Sequence, residues 1–214
     1  MKHARASLGE AVHDAARNFQ LWEMEMIRAA LIGSLALALA PAAAFADMSY
    51  SNFELKYLNL SLNDSFVNVN GDGYALSGQY ALGDKMFLLG EWQEQNYDFG
   101  VDGRQYEIGA GFHHAISSTL DFVGSLSYLD SKVSAGGFSA SDDAFGLGAG
   151  IRTRLGKDFE LDASLKYVDF DNSGSDTGVS ANGRWYFKKT MALSFGVDST
   201  DNVDVWHVGF RAEF

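Results

Sequence analysis

The stretch VDVWHVGFRAEF, residues 203–214, decides how the rest of the chain is read. Counted back in twos from Phe214, the residues Ala212, Phe210, Val208 and Trp206 are all apolar. Between them stand Glu213, Arg211, Gly209 and His207. A period of two is the signature of a β-strand, because successive side chains point to opposite faces of the sheet. One face of this strand is apolar and the other is ionic. The same pattern recurs upstream, with apolar sets at Tyr74 to Leu82, Met86 to Trp92, Tyr106 to Phe112, Leu120 to Tyr128, Phe145 to Ile151, Phe159 to Tyr167, Val179 to Phe187 and Met191 to Val197. That makes nine clear strands. A tenth lies near residues 53–62, where Phe53, Leu55 and Tyr57 have one parity and Leu58, Leu60 and Leu62 the other. A β-bulge near Tyr57 is expected to reconcile them.

The connections alternate in length. Short three-residue turns are expected at 83–85, 117–119, 156–158 and 188–190, and longer polar loops at the opposite strand ends, the longest being SKVSAGGFSASDD at 131–143. The loop end is rich in aspartate: Asp64, Asp72, Asp98, Asp102, Asp130, Asp142, Asp143, Asp169, Asp171, Asp176 and Asp201. The turn end carries Lys85, Lys157, Lys188 and Lys189.

The opposite faces of the strands carry Glu91, Glu107, Arg152, Arg154, Glu160, Asp162, Lys166, Arg184, Arg211 and Glu213. The pattern contains no helix or second sheet to cover so much apolar surface, so lipid is the simplest cover. In lipid every backbone N–H and C=O must be paired, and the sheet must close on itself. The expected fold is all-β: a ten-stranded antiparallel up-and-down transmembrane β-barrel, with eight strands as the runner-up and a soluble lipocalin-type barrel as the alternative. Aromatic residues gather toward both strand ends, as membrane-interface girdles do.

The only continuous apolar run precedes the strands. Met26-Ile27-Arg28 form a short basic region, residues 29–40 an apolar one, and Ala44-Phe45-Ala46 a small-x-small cleavage site. Residues 26–46 therefore read as a signal peptide, too short to span a bilayer. Residues 1–25 place Glu23 and Glu25 where positive charge is wanted. They read as a stretch upstream of the true start at Met26, or alternatively as an amphipathic helix. The mature domain is then 47–214. The segment before it is charge-balanced, so the domain carries the whole net charge of −12. That sign disfavours nucleic acid as a partner. The absence of Cys excludes disulfides, thiolate metal sites and a lipid-modified N-terminal Cys.

At this point the chain resembles the small outer-membrane β-barrel proteins, the OmpA-like and OmpX-like porin-family barrels. The resemblance rests on the leader, the roughly ten alternating strands and the terminal WHVGFRAEF. It implies an outer-membrane location in a Gram-negative-type envelope, periplasmic mature termini, extracellular longer loops, and lipid and lipopolysaccharide as surroundings. It also implies that the barrel-assembly machinery, helped by periplasmic chaperones, recognises the final strand through Trp206, Val208, Phe210, Ala212 and Phe214. It specifies fold and address far better than activity.

Regular turns would set Arg154 opposite Glu160 and Arg152 opposite Asp162, both inside the lumen near the turn end. With Arg184 and Arg211 they are the candidate constriction or plug, or else a satisfied interior network. Gly146, Gly148, Ser125, Ser127, Ser77 and Ser180 would leave a wider cup toward the loops. The expected function is a non-enzymatic barrel: a narrow porin-like channel or an envelope-structural protein. A surface adhesion or ligand-binding barrel is the alternative, and a lipid- or peptide-hydrolysing enzyme a remoter one. No cofactor, metal site or catalytic residue is expected. The DFDNSGSD stretch, residues 169–176, only partly matches a calcium loop and has Ser180 where a bidentate Glu is needed, so it reads as a hairpin loop. His207, with Asp198 and Asp204 nearby in sequence, is the one place to look for a catalytic dyad.

Overall fold

The computed structural model describes residues 48–63, 68–200 and 203–214. The expected signal peptide at 26–46, the stretch at 1–25 and Asp64 and Asp201 lie outside them. Ten strands follow in order: β1 (Asn52–Asn63), β2 (Asn68–Leu82), β3 (Met86–Tyr97), β4 (Val101–Ala115), β5 (Leu120–Ala135), β6 (Phe138–Leu155), β7 (Phe159–Phe170), β8 (Gly174–Lys188), β9 (Met191–Ser199) and β10 (Val203–Glu213). Each pairs antiparallel with its neighbours, and β10 returns to β1. That seam runs from Asn52↔Glu213 to Leu62↔Val203 without interruption. Closure leaves no strand edge with unpaired backbone groups.

Side-chain direction follows the period of two. The outward set includes Tyr74, Leu76, Leu88, Ile108, Leu126, Leu147, Leu165, Phe195, Val208 and Phe210, all substantially exposed. They run round the whole ring. In water this would be one continuous apolar belt, far beyond the few hundred Å² that a soluble monomer exposes. A bilayer is the solvent that makes such a surface stable.

The first strand differs from expectation. β1 has no bulge; its register to β2 is regular from Asn52↔Gln79 to Asn63↔Asn68. Phe53 and Leu55 face outward, whereas Leu58 and Leu60 are buried in the lumen against Ala75, with Tyr97, Val203 and Val205 beside them. The lumen near the loop end therefore has an apolar lining on β1 and β10. The mixed parity read from the sequence came from a strand that changes which face is apolar part-way along, not from a kink.

The connections also differ in detail. The turns 83–85 and 156–158 have three residues, but β4 ends at Ala115, so the next turn spans 116–119. The register of β8 with β9 slips between Tyr186 and Lys188, which leaves only Lys189 and Thr190 to turn. The stretch expected as the longest loop is mostly strand. β5 and β6 stay paired out to Ala135↔Phe138, and only Gly136 and Gly137 turn, at φ 58° and 88°. Two successive positive φ angles are what a two-residue hairpin turn requires, and glycine adopts them without steric cost.

Candidate functional site

The inward residues near the turn end are ionic and buried. Arg152 sits directly across the β6–β7 ladder from Asp162, and Arg154 across from Glu160. Arg152 does not bond to Asp162 straight across. Arg152 reaches diagonally and donates from Nε and Nη2 to the two carboxylate oxygens of Glu160, at 2.8 and 3.0 Å. Arg184 donates to Asp162, and also to Glu160 at 3.1 Å. The Arg154 guanidinium lies 3.7 Å from Glu160 and stacks over the Tyr186 ring, 4.1 Å from its centroid. One carboxylate thus serves three guanidiniums, and Glu160 is 0 % exposed. The diagonal pairing follows from length: an arginine spans the offset between rungs, and the bidentate fork rewards it.

The belt continues onto strands beyond β8. Arg211 on β10 lies between Glu54, at 3.7 Å, and Glu213, at 3.4 Å. Glu54 on β1 also approaches Arg184, at 3.6 Å. The Tyr186 hydroxyl donates to Glu213 at 2.5 Å. Four guanidiniums therefore meet four carboxylates, Glu54, Glu160, Asp162 and Glu213. Such balance is what allows charges to stand buried. Glu54 and Tyr186 were missed in the sequence. Glu54 lies in the strand whose parity was misjudged, and Tyr186 has its ring inside while its neighbours Trp185 and Phe187 face outward.

The other side of the turn end is filled differently. The chain before β1 bends into the barrel, and Tyr50 is 4 % exposed. Its hydroxyl donates to Asp121 on β5 at 2.8 Å. Its ring stacks on His113 of β4, centroids 3.9 Å apart, and on Phe87 of β3 at 5.1 Å. The Arg152 guanidinium lies 4.7 Å from the ring centroid. The Ser49 carbonyl accepts from Arg152 Nη1 at 2.9 Å and from Arg211 Nη2 at 3.3 Å. Phe87 itself needs Gly111 opposite, since a Cβ there would stand 2.2 Å from its ring.

Above the belt the lumen widens. Lys56 pairs with Glu91 at 2.8 Å, and Lys166 with Glu107 at 2.6 Å. A hydrogen-bond ladder climbs the inner face of β3: Tyr97 donates to Gln95 at 2.6 Å, Gln95 to Gln93 at 2.8 Å, and Gln93 to Glu91. A cavity of about 570 Å³ lies here, with Leu60 and Phe170 among its apolar lining. A second, of about 210 Å³, reaches down to Tyr50, Arg152 and Arg184. The two share Gln79, Glu107, Ser164 and Lys166.

The remaining candidates fall as follows. His207 is buried in the lumen, with Nε2 2.9 Å from Asn182 Oδ1 and 3.6 Å from Asp198. Asp204 instead accepts from Ser199 at 2.5 Å. Residues 169–176 form the β7–β8 hairpin, and Asp142 of the neighbouring hairpin accepts from the Asn172 side chain at 2.9 Å and the Ser173 hydroxyl at 2.5 Å. Trp206, Val208 and Phe210 face outward on the strand that closes the ring, and Phe214 follows it.

A closed antiparallel ring with a continuous apolar exterior and a polar lumen has one architectural reading. The chain folds as a ten-stranded transmembrane-type β-barrel. No family model and no curated protein matches it. Among solved structures, the barrel is similar to the translocator domain of the autotransporter NalP from Neisseria meningitidis, at 8% identity over 90% of this chain and 96% of that one, with a TM-score of 0.46. It is similar to Ail, the attachment invasion locus protein of Yersinia pestis, at 19% identity over 78% of this chain and 100% of that one, with a TM-score of 0.42. It is also similar to the KdgM porin, at 13% identity over 75% of this chain and 99% of that one, with a TM-score of 0.41.

Proposed function

We propose that this protein is a non-enzymatic outer-membrane barrel whose lumen is sealed at the turn end, with a vestibule open toward the loops. The turn end faces the periplasm in this reading. The observation that carries it is Glu160, wholly buried and shared by Arg152, Arg154 and Arg184. Ion pairs packed this tightly across a narrow barrel leave little path for a hydrated ion. The resting protein is thus an envelope barrel rather than an open pore. A narrow, gated channel is the second reading, favoured by the two adjoining cavities that run from the loop end down to the belt.

Planar-bilayer recording of refolded 47–214 separates these readings from an open porin. The wild type is expected to show no steady conductance. Arg152→Ala/Arg154→Ala, which strips two of the three cations from Glu160, is expected to give discrete steps. A wild type that conducts steadily would overturn the sealed reading. In the cell, Phe214→Ala is expected to slow insertion and leave unfolded chain in the periplasm, because the proposed recognition strand then loses its terminal aromatic ring. Insertion at the wild-type rate would argue against that assignment.

A further inference from the structure

We infer that residues 48–51 form a displaceable plug with Tyr50 as its stopper, and that this plug, rather than the arginine belt, decides whether the lumen conducts. The inference rests on the reading of the turn end as sealed.

The geometry divides the turn end into two halves. The belt residues come from β6, β7, β8, β10 and β1: Arg152, Glu160, Arg184, Arg211 and Glu54. They cover the arc of the ring on one side of the line from β1 to β6. On the other side, β3, β4 and β5 contribute Phe87, His113 and Asp121, and the belt does not extend there. Tyr50 fills that space. β1 and β6 are five strands apart in either direction round the ring of ten, so they stand across the lumen from each other. A chain that leaves β1 and brings Tyr50 against Arg152 of β6 must cross the opening.

The segment is also held differently from the wall. It joins no strand ladder; β1 begins only at Asn52. It is tied to the barrel by the Ser49 carbonyl, held by Arg152 and Arg211, by the Ser51 carbonyl, which accepts from the Phe214 N–H at 3.1 Å, and by the Ser51 hydroxyl, which accepts from the Ala81 N–H of β2 at 3.2 Å. The rest is one aromatic ring in a slot made by a second ring, an imidazole, a carboxylate and a guanidinium. Withdrawing that ring breaks its one hydrogen bond, to Asp121, and none between strands, and the slot it leaves opens into the 210 Å³ cavity, whose lining already includes Tyr50 and Phe87. The stopper and the belt share Arg152, so the double arginine variant loosens both.

The test is conductance of Tyr50→Ala and Tyr50→Phe beside the wild type and Arg152→Ala/Arg154→Ala, with heat-modifiable gel mobility as the check that each barrel has closed. Tyr50→Ala is expected to go from silence to discrete steps while keeping the mobility of a folded barrel. Tyr50→Phe keeps the ring but loses the bond to Asp121, and is expected to give rarer, briefer openings. If Tyr50→Ala does not close, Tyr50→Phe carries the test: openings support the plug, and silence overturns it. Silence from Tyr50→Ala while the double arginine variant conducts would overturn the plug and leave the sealed reading standing. A wild type that conducts steadily would remove the sealed reading first.

Discussion

Glu160→Ala is expected to destabilise the folded barrel by about 3–5 kcal/mol, the range for breaking a buried ion pair by removing one partner. The reason is arithmetic of charge. Arg152 is bidentate to this carboxylate, Arg184 donates to it at 3.1 Å, and Arg154 lies 3.7 Å away. Without it, four buried guanidiniums face Glu54, Asp162 and Glu213 only, and Arg152 is left with no close carboxylate; its contact to Glu213 is 3.9 Å. Urea unfolding of the protein refolded into liposomes measures the loss. A double variant, Arg152→Met/Glu160→Leu, is expected to recover much of it, since replacing a buried pair by apolar groups of similar volume is often neutral. A Glu160→Ala barrel as stable as wild type would mean that the belt is hydrated and the turn end open.

Ala110→Arg tests the other face of the wall. Ala110 is outward on β4, midway between Tyr106 and His114, with Leu88 and Leu126 beside it. An arginine near the bilayer midplane of a barrel costs about 2–4 kcal/mol, falling toward zero near the interfaces. Ala110→Leu, which adds bulk but no charge, is expected to change stability by less than about 0.5 kcal/mol. The contrast is what identifies lipid. A surface facing water would accept the arginine and tolerate the leucine less well, so an Ala110→Arg barrel with unchanged stability in liposomes would sink the transmembrane reading.

The sequence made the wall legible because a wall is a local property. In nine strands the alternation read from Tyr74 to Phe214 names the outward face correctly, since period two follows from strand geometry and lipid admits only apolar residues on that face. The register of Arg152 with Asp162 and Arg154 with Glu160 was legible too, because a tight turn fixes the pairing of its two strands. β1 was misread where it departs from the rule: Leu58 and Leu60 are apolar yet inward, and only the inward residues of nearby strands, Ala75, Tyr97, Val203 and Val205, give them apolar company. The longest expected loop was misread because small polar residues at 131–143 carry no alternation, although their backbones pair throughout.

What the amino-acid order determined by itself, then, was the number of strands, the faces of nine of them and the ladder partners next to the turns at 83–85 and 156–158. These depend on contacts within one hairpin. Which carboxylate holds which arginine was decided only by the closed barrel, because Arg152 and Arg184 reach between rungs to Glu160 and Asp162, while Arg211 and Arg184 meet Glu54 of β1 only once the seam from β10 to β1 has formed. The placing of Tyr50 was decided there as well. Nothing in the local pattern around it marks a strand or a turn. Its partners Phe87, His113, Asp121 and Arg152 come together only when ten strands close and bring the far wall within reach of the residues before β1.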